Sequence, residues 1–250
     1  MGKVLGIDVG ATGIKGAIVD LKTGTLVGER HKIGTPEGGM PADMIQTIKE
    51  LVEFFDWKGK PIGVGFPSAI RNNIVLTASN IDKSWIGLNV FELIKNETGC
   101  SCIVVNDADA AGLAEVKYGN GNDVKGTLIL LTLGTGIGSA IFNNGHLLQN
   151  TEFGHVMFKG KIAEKSVSNT ARKREDYTWE QYGTELGNFI TYMNRLFYPE
   201  LVILGGGISK KIDKFSEYLP KDVVVKAASQ FNNAGIIGAG LAYEVYAKTS

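Results

Sequence analysis

Residues 5–20 read LGIDVGATGIKGAIVD, four glycines, a threonine and a lysine set between two apolar runs. Glycine at this density costs backbone entropy on folding, so the stretch demands an explanation. Val4 to Val9 and Ile14 to Asp20 each have the apolar character of a strand, and the glycines between them read as a turn. A dinucleotide fingerprint needs G-x-G-x-x-G between a strand and a helix. Gly6, Gly10, Gly13 and Gly16 do not give that spacing, and a second strand follows. The phosphate loop G-x-x-x-x-G-K-[S/T] is absent as well. Two readings stay open. One is a hairpin whose turn offers backbone N–H groups to an anion, with Asp8 near a metal and Thr12 and Lys15 on phosphate oxygens. The other is a glycine hairpin with no ligand.

Outward from this stretch, KTGT at 22–25 marks a second turn, and a third strand is expected from Leu26 to Ile33. In residues 40–55, Met44, Ile45, Ile48, Leu51, Val52 and Phe55 recur at helical spacing. PIGVGFP (61–67) reads as a buried strand and NVFELIKNET (89–98) as a helix stopped by Gly99. CIVVND (102–107) reads as a strand that passes at once into the helix ADAAGLAEVKYG. Three strands followed by alternating helices and strands is an α/β order.

The glycine-rich YGNGND at 118–123 marks a boundary, and beyond it the opening pattern returns in TLGTGIGSAIFNNG (132–145). Gly10 matches Gly134, Gly13 matches Gly136, Ile14 matches Ile137, and Ala17-Ile18 matches Ala140-Ile141. The second turn is one residue shorter. Gly10 and Gly134 lie 124 residues apart in a chain of 250, which suggests two related halves. Residues 159–176 are polar and read as a loop. A helix is expected from Trp179 to Phe197, and ELVILGGGIS as a strand entering a third glycine turn. A small-residue helix is expected over 234–248.

Asn106-Asp107 closes one strand and opens a helix. Asn and Asp are favoured helix caps, and a carboxylate at a strand's carboxyl end is also where a phosphoryl acceptor hydroxyl would find its base. The two roles are compatible. Glu152 and His155 stand three apart, but no further His or Cys completes a metal site. Lys210, Lys211 and Lys214 follow the third glycine turn, either as a solvated helix face or as partners of an anion.

Hydrophobic residues make up 44% of the chain and charged residues 21%, with 26 basic and 26 acidic side chains. That balance argues against a nucleic-acid partner, which calls for a basic excess. No apolar run reaches ~18 residues, so no membrane partner or span is expected. Cys100 and Cys102 are placed badly for a disulfide with each other and are expected to be reduced, structural thiols. With a strand beginning at Val4 and no leader ahead of it, the expected location is cytoplasmic.

Taken together, GIDVGATGIKGAIVD, GVGFPSAI, NDADAAGLAE, LTLGTGIGSAIF, NTEFGHV and LGGGISKKIDKF resemble the ROK (repressor, open reading frame, kinase) family of sugar kinases, and within it the polyphosphate glucokinases. The resemblance runs over nearly the whole chain. It implies an α/β, actin-like (hexokinase- or Hsp70-type) ATPase fold with two ribonuclease-H-like domains and a cleft. These would be residues 1–117 plus about 234–250, and 118–233, in a homodimer. It implies Mg2+-dependent phosphorylation of the 6-hydroxyl of glucose from polyphosphate, ATP or both. Carried over motif by motif, Asp107 would be the general base. Ser68, Asn80, Asn106, Asp107, Glu152, His155 and Glu164 would bind glucose. Asp8, Gly10, Thr12, Gly13 and Lys15 would serve phosphate, with Asp8 toward the metal, and Thr135, Gly136, Gly206, Gly207 and Lys210 would line the donor side. Polyphosphate would favour a local basic track, for which Arg172, Lys173 and Arg174 join the three lysines.

Two departures stand out. Many family members carry a cysteine-rich zinc motif after the G-H pair, whereas VMFKGKIAEKSV (156–167) has no cysteine, so no zinc is expected. Ala11 stands where a second glycine is usual, which requires a backbone conformation that alanine tolerates. The alternative is a non-catalytic nucleotide-binding or sugar-sensing member. A repressor would need a DNA-binding segment ahead of residue 8, and a protein with no sugar substrate would lack a reason to hold Asn106-Asp107 with Glu152 and His155.

Overall fold

In a computed structural model, the described residues are 2–247. The end of the expected last helix and of the first domain, residues 248–250, lies outside them. The backbone divides into two compact units, one running up to Ala114 and again from Asn233, the other Glu115–Asn232.

The first unit holds β1 (Lys3–Gly10), β2 (Gly13–Asp20), β3 (Thr25–Ile33), α1 (Pro41–Phe54), β4 (Ile62–Phe66), a small hairpin β5 (Ile70–Arg71) and β6 (Ile74–Val75), α2 (Val90–Thr98), β7 (Cys102–Asn106) and the start of α3 (Asp107–Tyr118). Its sheet has the order β3-β2-β1-β4-β7. β1 is antiparallel to β2 and parallel to β4, and β4 is parallel to β7. The local signals place these elements. Pro41 stands at the start of α1, where a missing N–H costs nothing. The Asn89 side chain caps α2, and Gly99, at φ 67°, ends it in the left-handed conformation.

The second unit holds β8 (Thr127–Leu133), β9 (Ile137–Asn143), β10 (His146–Leu148), the short pair β11 (Met157–Phe158) and β12 (Lys161–Ile162), α4 (Glu164–Val167), α5 (Asn169–Arg174), α6 (Trp179–Phe197), β13 (Leu201–Gly205) and β14 (Val225–Ala227). Its sheet order, β10-β9-β8-β13-β14, repeats the first unit's pattern strand for strand, with two antiparallel pairs followed by two parallel ones. α6 begins on a full capping box, Thr178 with Gln181. Residues 159–176 are not the expected loop. They hold β12, α4 and α5, and bury Ser166, Val167 and Ala171.

The last helix, α7 (Ala234–Tyr246), returns to the first unit and packs on β1, β4 and β7. Strand alternation explains how it fits. On β1, Leu5, Ile7 and Val9 join the core beneath α1 and α2, and on β4 Ile62, Val64 and Phe66 do the same. The intervening residues face α7. A Cβ on Gly6 would overlap the carbonyl of Ile236, and one on Gly63 would overlap that of Ala239. These glycines let a helix backbone lie directly on the strands.

Candidate active site

The first hairpin turn joins Gly10 and Gly13, which face each other as the last pair of β1 and β2. Ala11 and Thr12 form the exposed tip, and neither is among the positive-φ residues, so alanine is accommodated. Thr35 Oγ1 donates to Gly10 O at 2.6 Å and ties the turn to the end of β3. Two steps back in the register, Asp8 is paired across the strands with Lys15, whose Nζ lies 3.1 Å from Asp8 Oδ2. Lys15 therefore neutralises Asp8 rather than projecting alone. Asp8 also faces the first turn of α7, because a Cβ on Gly235 would stand 2.8 Å from its Cγ. A carboxylate is favoured at a helix N-terminus.

At the end of β7 the Asn106 side chain is buried, and its Oδ1 accepts from the backbone N–H of Ala108 at 2.9 Å and of Asp109 at 3.2 Å. Its Nδ2 donates to Ser68 O at 3.2 Å. Asn106 Oδ1 thus caps α3, and its Nδ2 ties that cap to the Ser68 loop. Asp107, half-buried in the first turn, has Oδ1 2.8 Å from the Ala108 N–H. The cap fixes where the Asp107 backbone sits. The Ser68 hydroxyl, only 2% exposed as a residue, lies 2.7 Å from Thr77 O and 2.9 Å from Ala69 O, so it serves the loop around β5 and β6. Asn80 is exposed in the loop after β6.

In the second unit three of the expected residues come together. Ser139 Oγ donates to Thr151 O at 2.7 Å and accepts from the Phe153 N–H at 2.9 Å, pinning the Thr151–His155 segment beside β9. This sets Glu152 and His155 on one turn, with His155 Nδ1 3.8 Å from Glu152 Oε2. Glu164, at the start of α4, reaches the turn between β8 and β9, where a Cβ on Gly136 would overlap its Oε2. Burial pushes the Glu152 carboxyl above its ordinary range and the nearby Glu164 pushes the same way, while His155 opposes both. The Thr170 N–H donates to Gly134 O at 3.2 Å, so α5 buttresses the same turn.

The third glycine turn lies beside it. Gly206 adopts φ 79°, and a Cβ there would press on the backbone of Leu133 at the end of β8. Gly207 and Lys210 are exposed and begin a 3₁₀ helix, Gly207–Lys214. Thr135, Gly136, Gly206 and Gly207 therefore gather at the carboxyl ends of two paired parallel strands, where ligands of open α/β sheets bind. Of the basic residues expected to form a track, Arg174 is committed to Glu175 at 2.8 Å and to Lys165 O at 2.6 Å. Thr35, Ser139, Thr170 and Gly235 escaped the sequence reading because each acts through a contact distant in sequence.

Among the described residues no group of three or more His, Cys, Asp and Glu side chains could cage a metal. Mg2+ asks for less. It is commonly held by one or two carboxylates together with phosphate oxygens and water. Asp8, partly exposed beside the first glycine turn, fits that donor set. No described helix is long and apolar enough to cross a membrane.

Residues 4–165 match the model of the ROK family. A polyphosphate glucokinase of Mycobacterium tuberculosis is 45% identical over 95% of this chain and 89% of its own. Among solved structures, the inorganic polyphosphate/ATP-glucomannokinase of Arthrobacter sp. strain KM superposes with a TM-score of 0.93 at 41% identity, over 98% of this chain and 99% of that one. A ROK family glucokinase of Streptomyces griseus, solved with glucose and AMPPNP, gives 0.81 at 22% identity over 96% and 98%, a likeness of fold.

Proposed function

The chain belongs to the ROK family, and from that premise we propose that it is a glucokinase, moving a phosphoryl group from inorganic polyphosphate or ATP to the 6-hydroxyl of glucose. The observation that carries the reading is Asp107, a carboxylate on the first turn of a helix whose start is locked by the buried Asn106 cap. As general base it would take the proton from the 6-hydroxyl while that oxygen bonds to the terminal phosphorus of the donor. The donor's bridging P–O bond breaks, and ADP or a polyphosphate shorter by one unit leaves.

Asn80, Glu152, His155 and Glu164 would hold the sugar hydroxyls, for which carboxylates are strong acceptors. Asn106 and Ser68 act behind them. The cap positions Asp107, and the Ser68 hydroxyl braces the neighbouring loop. Gly10, Thr12, Gly13 and Lys15 on one turn, and Thr135, Gly136, Gly206, Gly207 and Lys210 on the others, would surround donor phosphates with N–H groups and positive charge. Mg2+ on Asp8 would neutralise charge on those phosphates. A homodimer belongs to this reading through the family resemblance alone.

The test couples glucose 6-phosphate formation to a dehydrogenase, with polyphosphate and with ATP in turn. Turnover with at least one donor is expected, and none with either overturns the reading. Asp107→Asn should fold and bind glucose while kcat falls about 10²–10⁴-fold. A near-normal kcat removes Asp107 from its role.

A further inference from the structure

The second unit gathers part of the basic track expected from the sequence into one cluster, to which the proposed reaction gives no role. Three positive groups surround one indole: Arg172 Cζ lies 4.5 Å from the Trp179 ring centroid, Lys214 Nζ 5.5 Å and Lys211 Nζ 5.7 Å. The ring is a firm platform. It stacks at 6.0 Å and 14° on Phe215, which is fully buried, and meets the edge of Tyr182. Arg172 is further steadied by Asn169 Oδ1 and Tyr177 O, each at 3.5 Å. Among the described residues no carboxylate lies within salt-bridge distance of Arg172, Lys211 or Lys214. An indole face attracts cations but does not neutralise them. Like charges collected on one side chain and left without acids make a local field that draws a polyanion.

The chain path ties this cluster to the glycine turns of the same unit. Arg172 sits on α5, two residues beyond Thr170, whose N–H holds Gly134 O. Lys211 and Lys214 sit on the 3₁₀ helix that starts at Gly207. Each further unit of a polyphosphate whose end lies at the glycine turns extends the anion past them, so a long chain can meet more of these side chains than a short one.

We propose that Arg172, Lys211 and Lys214, arranged around Trp179, dock the distal part of a long polyphosphate donor, beyond the phosphates that react. The proposal rests on reading polyphosphate as a donor. It makes chain length, rather than the reacting end, what these residues sense. ATP and tripolyphosphate, with three phosphates each, meet fewer of these groups and gain less from them.

The test measures equilibrium binding of long-chain polyphosphate and of tripolyphosphate to the whole protein, over a range of salt, together with the KM for ATP. The parent should bind the long chain more tightly. In the triple variant Arg172→Gln, Lys211→Gln, Lys214→Gln, long-chain affinity should fall about tenfold, three exposed ion contacts each worth roughly a factor of two to three. By analogy with single-stranded polyanions, the slope of log affinity on log salt should flatten by about 2. Tripolyphosphate affinity and the KM for ATP should change much less. The pair Lys211→Arg, Lys214→Arg keeps charge and should keep long-chain affinity. Undiminished long-chain affinity in the triple variant, or an equal loss for tripolyphosphate and ATP, overturns the proposal. A protein that phosphorylates glucose with neither donor, yet loses long-chain affinity in the triple variant, would sink the glucokinase reading and leave this site standing.

Discussion

Gly238→Ala decides whether the close helix contact under Asp107 is real, because two opposing effects predict opposite signs. Gly238 is buried in the middle of α7. A Cβ there would overlap the carbonyl of Ala110 and stand 3.1 Å from the Ala110 Cα, all of it backbone that no rotamer change can move aside. In open space the substitution would stabilise the protein by about 1 kcal/mol, the difference in helix propensity. Forced into a filled site, an extra methyl costs about 1–3 kcal/mol, and a backbone obstacle puts this one at the top of that range. The net expectation is a loss of about 2 kcal/mol. For a chain of this size that corresponds to a fall in Tm of about 4–8 °C. Ala110 is three residues beyond Asp107 on α3, so relieving the overlap moves the helix that carries the proposed base. An ångström of misplacement can cost about 10²-fold in rate. Calorimetry and glucose 6-phosphate formation read the two effects separately. A Tm equal to or above the parent's would refute the packing argument outright.

Two further predictions concern ionisation. Because burial raises the Glu152 carboxyl above its ordinary 4.5, the native state holds that proton more tightly than the unfolded state does. Its contribution to stability is full below pH 4.5 and is lost as pH rises through the raised native value. Glu152→Gln should therefore gain Tm relative to the parent as pH climbs through that window, and the opposite trend counts against the partly buried placement. Cys102 is buried and its thiol is pushed up to about 12, first by burial and then by Cys100. It should resist alkylation at neutral pH until the protein is unfolded, and rapid labelling of the native protein would contradict this.

The sequence made the α/β order legible because most of its signals are local. The strand LGIDV, the helical spacing of Met44 to Phe55 and the Gly99 stop all act within a turn or two. The repeated hairpin extended that reach to the second sheet, whose strand order copies the first. Residues 159–176 were misread because α4 and α5, at four and six residues, are too short to show a period, and few of their side chains are buried. On the candidate site the sequence marked Asn106-Asp107 and Glu152 with His155 by residue type. It had no means of showing that the Asn106 side chain is taken up by capping, or that Glu164 folds back against Gly136.

The opening glycines show most clearly why residue type alone underdetermines role. Gly10 and Gly13 belong to the turn, but Gly6 does not. It lies on the face of β1 that α7 covers, and what forbids a side chain there is the Ile236 carbonyl, some 230 positions away in the chain. Gly63 and Gly65 repeat the device on β4. A Cβ on Gly65 would lie 3.3 Å from the Ala110 Cβ, 3.7 Å from the Asp107 Cα and 3.8 Å from Gly235 O. Asp8 shares this face and meets Gly235 from β1. The glycine column thus brings the starts of α3 and α7 down onto the sheet, and the two carboxylates proposed for chemistry, Asp8 and Asp107, stand at those helix starts. There the partial positive charge of a helix N-terminus stands beside each carboxylate. A glycine kept for packing in this unit is therefore also a glycine that places an acid.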